Sequence, residues 1–139
     1  MTTQTFARLF GIVFLLVGAA GFIPGVTDMN HTHPDVTLDA GLGLELGLFP
    51  VNYLHNAVHL LFGVWGLLAA RSAGAAANYG KIVAASYALL AVLGLIPAAK
   101  LWTTFGLIPL YGNDVWLHAL LAAVAAYFGF FRRDSAARG

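Results

Sequence analysis

The sequence contains no cysteine and few charged residues. The absence of cysteine excludes a thiol–disulfide oxidoreductase site, a thiolate metal site and a palmitoyl anchor. Charged residues make up 9% of the 139 residues, compared with about 25% in soluble domains, so the chain cannot cover itself with a water-compatible surface. It also has no long basic run, which argues against nucleic acid as a partner.

Hydrophobic residues make up 60% of the chain, and the mean hydropathy is +0.80. A membrane-spanning helix requires about 20 predominantly apolar residues, and the apolar stretches predict four such helices, at 5–24, 51–71, 79–99 and 113–132. The expected fold class is therefore all-α, a bundle of four transmembrane helices in one integral membrane domain, 1–139. Little chain is left for an enclosed catalytic module, which argues against an enzyme.

Basic residues are concentrated on one side of the predicted spans. Lys100 falls on the other side, and the remaining six are Arg8, Arg71, Lys81, Arg132, Arg133 and Arg138. Because basic residues favour the cytoplasmic side, both termini and the 72–78 loop are predicted to be cytoplasmic. The 25–50 and 100–112 loops are then predicted to face outward, with the lipid bilayer around the helices.

The two halves of the chain share motifs at constant offsets. The run Gly47-Leu48-Phe49-Pro50 corresponds to Gly106-Leu107-Ile108-Pro109 at an offset of 59 residues, and the helices before them match at an offset of 73. These offsets predict two helical hairpins of one design, repeat one at 5–71 and repeat two at 79–132. Repeats of equal orientation are related by a pseudo-two-fold axis along the membrane normal. Repeat one carries the extended outer loop, 25–50.

Polar residues at helical spacing occupy equivalent positions in the two predicted repeats. His55 and His59 are one turn apart on the second helix, and Asp114 and His118 are one turn apart on the fourth. Spacing of i, i+4 places each pair on one helix face, and a pseudo-two-fold axis could bring the two faces together. Three imidazoles and one carboxylate suit zinc, iron or copper. The sequence therefore predicts a candidate metal site opening outward.

The same residues allow other interpretations. Asn52, Asn56 and Asn113 could form a polar second shell, or could join the cluster in a hydrogen-bonded clasp between helices. His59 and His118, on two different helices, could also be the axial ligands of a haem. Proton handling or small-solute transport is a further alternative, since intramembrane ionisable groups mark function. With a clasp, the chain would be a non-catalytic bundle, packing as a homo-oligomer or as a subunit of a larger membrane complex.

One outer segment contains further histidines. His31 and His33 lie in the outer loop between Asp28 and Asp35. This composition is typical of a hydrophilic loop, because loop polarity is the default. A weak metal-collecting arm is the alternative.

The chain resembles a small bacterial membrane family at several motifs. These are Leu48-Phe49-Pro50-Val51-Asn52, His55-Asn56, His59-Leu60, Gly63, Gly66, Gly106-Leu107-Ile108-Pro109, Gly112-Asn113-Asp114 and Leu117-His118. The family is domain of unknown function 4383, and the resemblance spans nearly the whole chain. It implies a four-helix integral membrane protein and, with the charge bias, a location in the bacterial inner membrane. It implies no activity.

Overall fold

The computed structural model describes residues 1–134. Arg138, one of the residues used to predict the orientation, lies outside the described residues. The structure is mostly helical, with four substantial helices: α1 (Thr3–Ala20), α2 (Tyr53–Ala69), α3 (Ala73–Gly94) and α4 (Asn113–Ala126). A 3₁₀-helical stretch, Ala98–Thr103, precedes α4, and a π-helical turn, Tyr127–Phe131, continues it.

Within the described residues, three helical segments are long and apolar enough to cross a membrane. They are Thr3–Ala20, Ala73–Gly94 and Asn113–Phe131, the last comprising α4 and the π-helical turn. The remaining helix, α2, is also apolar but is shorter, with 17 residues. The fold is therefore compatible with a membrane protein by helix length and composition.

Two of the predicted helices have wrong bounds, because the helices are capped at other residues. The first helix ends at Ala20 instead of 24, with Gly21 as its C-cap. The third helix covers 73–94 instead of 79–99, because the side chain of Ser72 caps it by accepting a hydrogen bond from the Ala75 N–H at 3.2 Å. Most of the predicted 72–78 loop is therefore helical.

The prediction of an all-α fold is wrong for the 25–50 loop. This segment and the residue after it form a three-stranded antiparallel sheet of β1 (Thr27–Asp28), β2 (Gly43–Glu45) and β3 (Phe49–Val51), in that order. The register pairs Glu45 with Thr27 on one side and with Phe49 on the other. The chain reverses between β2 and β3 through Leu46 and Gly47, both with positive φ (54° and 70°).

A glycine allows the first two strands to approach. A Cβ on Gly43 would lie 2.6 Å from the Asp28 carbonyl oxygen, so a larger residue would separate β1 from β2. Side chains alternate between faces along a strand, and Gly43 and Glu45 are both buried while Leu44 is half-buried. The sheet therefore turns the one acidic side chain of β2 toward the protein interior.

Small residues bring the helices close together in two pairs. α1 packs mainly against α2, and a Cβ on Gly11 would lie 2.8 Å from the Gly63 carbonyl oxygen. α3 packs mainly against α4 and the π-helical turn, and a Cβ on Gly129 would lie 2.5 Å from the Lys81 nitrogen. Close backbone approach of this kind supplies dispersion contacts between helices in lipid, where no hydrophobic force joins them.

The two segments that connect the helices at one end of the molecule dock onto each other. The Thr37 and Leu38 N–H groups donate to the Gly106 carbonyl oxygen, each at 2.9 Å. The Trp102 indole donates to the Asp35 carboxylate at 2.9 Å. At the opposite end, Asp134 accepts hydrogen bonds from the Thr3 backbone N–H at 2.9 Å and from the Thr3 hydroxyl. Hydrogen bonds between segments that are distant in the sequence therefore hold both ends of the molecule together.

Candidate metal site

The first half of the candidate site is the start of α2. Asn52 caps this helix, its side-chain oxygen accepting a hydrogen bond from the His55 N–H at 2.8 Å. His55 and His59 follow on one face, with ring centroids 4.5 Å apart and exposed fractions of 3% and 6%. The cap fixes the first turn of the helix, and that turn fixes the direction of both imidazoles.

The second half is the start of α4. Asp114 lies in its first turn, where the helix dipole favours a negative charge, and His118 is one turn further on. The Asp114 Oδ2 lies 3.5 Å from the His118 Nε2 and 3.9 Å from the His55 Nε2. Both α4 residues are buried. All four residues predicted as metal ligands therefore meet in one buried cluster.

The three imidazoles converge. One ring nitrogen from each of His55, His59 and His118 lies within 4.8 Å of the other two, the one such metal-type group of three or more residues within 1–134. A point equidistant from three atoms that lie at most 4.8 Å apart is at most about 2.8 Å from each, so ligation at the Zn–N length of about 2.0–2.1 Å would need a contraction of at most about 0.7 Å per ligand. Side-chain rotation could supply that contraction.

The cluster has polar atoms with no hydrogen-bond partner within residues 1–134. These atoms are the Nδ1 of His55, the Nδ1 of His59, both ring nitrogens of His118 and the Oδ2 of Asp114. The 3.5 and 3.9 Å contacts of Asp114 are longer than the 2.7–3.2 Å of an ordinary N–H···O hydrogen bond. The imidazoles therefore lie close to one another and to the carboxylate without forming hydrogen bonds among themselves.

Aromatic rings from the other two helices enclose the cluster. Phe14 of α1 stacks on His59, with centroids 5.8 Å apart and an interplanar angle of 11°. Tyr87 of α3 meets His118 edge-on, with centroids 4.8 Å apart and an interplanar angle of 90°. The site lies where all four helices meet, and its apolar walls exclude bulk water from the ring nitrogens.

A carboxylate that the sequence analysis did not assign to the site lies beside it. Glu45 of β2 is buried, and its Oε2 has no hydrogen-bond partner in the described residues. Glu45, His59 and Asp114 line one cavity of about 220 Å³, together with apolar side chains. Burial raises the pKa of Glu45 to about 7. One sequence signal could have indicated this role, since Glu45 is the one charged residue between Ala40 and Val51.

The three asparagines predicted around the site have other partners. The Asn52 amide donates to the carbonyl oxygens of Leu38 at 2.9 Å and Leu107 at 2.7 Å, so it ties both connecting segments to α2. Asn113 is exposed and donates to the Leu48 carbonyl oxygen at 3.3 Å.

The third asparagine, Asn56, packs its amide against Gly21 of α1. Within residues 1–134, none of the three asparagine side chains hydrogen-bonds a cluster side chain.

The outer histidines pack against aromatic residues. The His31 Nε2 lies 2.8 Å from the Tyr111 hydroxyl oxygen, and the His33 ring stacks on Tyr111 with centroids 4.2 Å apart. Burial lowers the pKa of His33 from its ordinary value, against a smaller opposing effect of the Asp35 charge. The pair therefore fastens the first connecting segment to the second.

The side chains of the cluster allow two kinds of chemistry, metal binding and proton binding. Neutral imidazoles and a carboxylate are ligands for a first-row transition metal, and the adjoining cavity could leave one coordination position accessible. The same groups could also hold a proton, because their nitrogens and oxygens lie close together. Nothing in the cluster supplies a thiolate, because the chain has no cysteine.

The family model described as domain of unknown function 4383 matches residues 4–131, so the chain belongs to that family. The match confirms the resemblance found in the sequence. Comparisons with the curated proteins and with the solved structures found no match. The family description assigns no activity, and the functional argument therefore depends on the site itself.

Proposed function

We propose that this protein is a four-span membrane protein that binds a divalent transition-metal ion with His55, His59, His118 and Asp114. One observation carries the proposal: three buried imidazoles bring ring nitrogens within 4.8 Å of one another, and four of their ring nitrogens have no hydrogen-bond partner among the described residues. A buried polar group without a partner costs about 1–3 kcal/mol. A cation bound by the ring nitrogens would remove that cost.

The competing interpretation is the hydrogen-bonded clasp. A clasp that stabilises helix pairing needs short, well-aligned hydrogen bonds between its members. The Asp114 carboxylate is instead 3.5 Å from His118 and 3.9 Å from His55, and the Asn56 amide has no hydrogen-bond partner in the described residues. This arrangement supports a ligand set more than a finished network.

The ligand types favour a bare ion over haem. Imidazole suits zinc, copper, iron and nickel, and the added carboxylate suits the divalent ions among them. The cavity beside the cluster has a volume of about 220 Å³, below the roughly 300–1,000 Å³ of pockets that enclose a drug-sized ligand. A tetrapyrrole would also have to displace Phe14 and Tyr87, which contact the two histidines that would ligate it.

Helix packing and charge support the membrane arrangement that we propose. The 17 residues of α2 reach about 26 Å at 1.5 Å per residue, close to the roughly 30 Å of a bilayer core. The pairing of α1 with α2 and of α3 with α4 is what two parallel repeats require. The basic residues near the Thr3–Asp134 end would face the cytoplasm, in a bacterial inner membrane. The metal cluster then lies toward the outer side.

The test is metal analysis of protein purified in detergent after its affinity tag has been removed. We expect about one zinc, iron or copper ion per chain, or stoichiometric uptake of Zn²⁺ or Co²⁺ by the metal-free protein. His59→Ala and His118→Ala should each abolish this binding, because each removes one of three converging imidazoles.

The matched control is His33→Ala. His33 also packs on an aromatic ring but lies outside the cluster, so its loss should leave the stoichiometry unchanged. Wild-type protein that binds none of these ions, with His118→Ala lowering stability by only about 1 kcal/mol, would support the clasp instead. A Soret band in the visible spectrum would identify haem and contradict the choice of a bare ion.

A further inference from the structure

The buried carboxylate of Glu45 takes no part in the ligand set proposed above. It is 5% exposed, its Oε2 has no hydrogen-bond partner in the described residues, and it faces the same cavity as His59 and Asp114. Leaving a buried carboxylate oxygen unpaired costs free energy that an apolar residue on β2 would not incur. A functional role at the cavity is therefore the simplest reason for an acidic residue at this position.

The cavity lies between the β2–β3 hairpin and His59. Its walls come from the β2–β3 hairpin and from three helices: Val17 of α1, His59 of α2 and Leu117 of α4. Leu46, at the turn between the two strands, also lines the cavity and is 66% exposed. The cavity therefore extends from an exposed edge of the hairpin to the ring of His59.

An ion moving along this path would meet mostly apolar side chains. The polar groups that line the cavity are Glu45, His59 and Asp114. A cation that loses water beside apolar walls needs a negative charge to offset the desolvation cost. Glu45 adjoins exposed Leu46 in the chain and lines the same cavity as His59, so its carboxylate can offset that cost on the way to the imidazoles.

We propose that this cavity is the entrance to the metal site and that Glu45 is the carboxylate that receives the incoming divalent cation. The inference rests on the proposed metal site, and it adds a route and a residue to it. Glu45 holds the cation transiently in the cavity, and His55, His59, His118 and Asp114 then bind it. Its effect is on the rate of association, because the final ligand set does not include it.

The test measures the rate of Co²⁺ uptake by metal-free protein in stopped-flow experiments, with the d–d spectrum as readout. The pH is kept above the pKa of about 7 of Glu45, so that its carboxyl is charged. Glu45→Gln keeps the shape of the side chain and removes its charge. We expect it to slow association about tenfold or more, the scale on which a focused charge raises on-rates. The spectrum of the loaded site should stay as in the wild type, because its four ligands are retained.

The charge control is Asp39→Asn. Asp39 lies on the same outer segment and is exposed, away from the cavity that Glu45 lines. Its loss lowers the negative charge of this end by the same amount, so association slowed equally by both substitutions would overturn the role of Glu45. A changed d–d spectrum in Glu45→Gln would also overturn it, because Glu45 would then be a permanent ligand.

A second pair of variants tests the cavity through its size. Val17→Phe adds bulk to the cavity wall, while Val13→Phe adds the same bulk one turn earlier on α1, at an exposed position outside the wall. We expect slower uptake in Val17→Phe alone. Equal uptake rates in Val17→Phe, Glu45→Gln and wild type would refute the entrance. Wild-type protein that takes up no Co²⁺ would instead refute the metal site itself, so the two failures are distinguishable.

Discussion

Replacing Gly21 with alanine is expected to destabilise the protein through one side chain, Asn56. Gly21 has φ −62° and ψ −17°, a helical conformation that alanine adopts without strain. A Cβ on Gly21 would lie 2.2 Å from the Oδ1, 2.3 Å from the Cγ and 2.4 Å from the Nδ2 of Asn56. Real Cβ atoms essentially never approach other atoms within 3.0 Å, so the amide must move by about 0.6–0.8 Å or more.

The burial of Asn56 determines how much stability Gly21→Ala should cost. This side chain has no exposed surface, and its amide has no hydrogen-bond partner in the described residues that would guide it to a new place. Overpacking of a well-packed interior costs about 1–3 kcal/mol, and an off-rotamer side chain about 0.5–1.5 kcal/mol. We therefore expect Gly21→Ala to lower the free energy of unfolding by about 2 kcal/mol.

The assay is a double-mutant cycle with Asn56→Ala, measured by unfolding in mixed detergent micelles. Asn56→Ala removes the amide that clashes, so adding Gly21→Ala to it should cost close to nothing. The control is Gly74→Ala in the first turn of α3, where a Cβ would meet no atom within 4 Å, so alanine should not lower stability. An equal cost of Gly21→Ala in both backgrounds would refute the reasoning, since the clash could not then be with Asn56.

Three further predictions concern pH, metal removal and topology. The Thr3 hydroxyl that hydrogen-bonds to Asp134 lowers the pKa of that carboxyl. The contact should therefore stabilise the protein above the ordinary carboxyl pKa and stop doing so as the pH falls through the folded-state pKa. The difference in melting temperature between wild type and Asp134→Asn, measured against pH, should shrink toward zero in acid. At a free Zn²⁺ concentration 100 times its Kd, the wild type should gain about 2.7 kcal/mol of stability, a gain that EDTA removes and that His118→Ala lacks. Reporter fusions within 28–40 and after residue 139 should report the outer and the cytoplasmic side, respectively, and a periplasmic C-terminus would contradict the orientation.

Hydropathy predicts the helices well and their ends poorly. An apolar stretch shows which residues leave water, and all four predicted helices correspond to helices of the structure. The ends depend instead on where backbone hydrogen bonds stop, which Gly21 and Ser72 decide through local capping. The predicted two-fold repeat stays a prediction.

The three-stranded sheet could not be predicted from the pattern of hydrophobic residues in the sequence. Its strands have two or three residues each, too few for a period-two pattern to be distinguished from the surrounding Gly and Leu residues. Pairing between Thr27 and Glu45 also depends on contact between segments that are distant in the sequence. The conformation of the 25–50 loop is therefore a tertiary property.

The candidate site was also predictable only where it depends on local sequence spacing. Helical spacing places His55 with His59 and Asp114 with His118, and the equivalent repeat positions predict that these pairs meet. Glu45 reaches the site through the register of the sheet, which the sequence does not reveal. Proximity along the chain predicts the asparagines at the site, whereas hydrogen bonds to carbonyl groups of the connecting segments determine the direction of Asn52 and Asn113.

The position of the cluster would link the proposed metal binding to the assembly of the helices. α1 packs mainly against α2 and α3 mainly against α4, but the proposed ligands come from α2 and α4, one helix of each pair. A bound ion would therefore join the two pairs at a place where, among the described residues, the cluster side chains make no hydrogen bond to one another. Because metal binding that requires both pairs contributes its free energy to their association, the metal-free protein should lose contact between the pairs before it loses its helices.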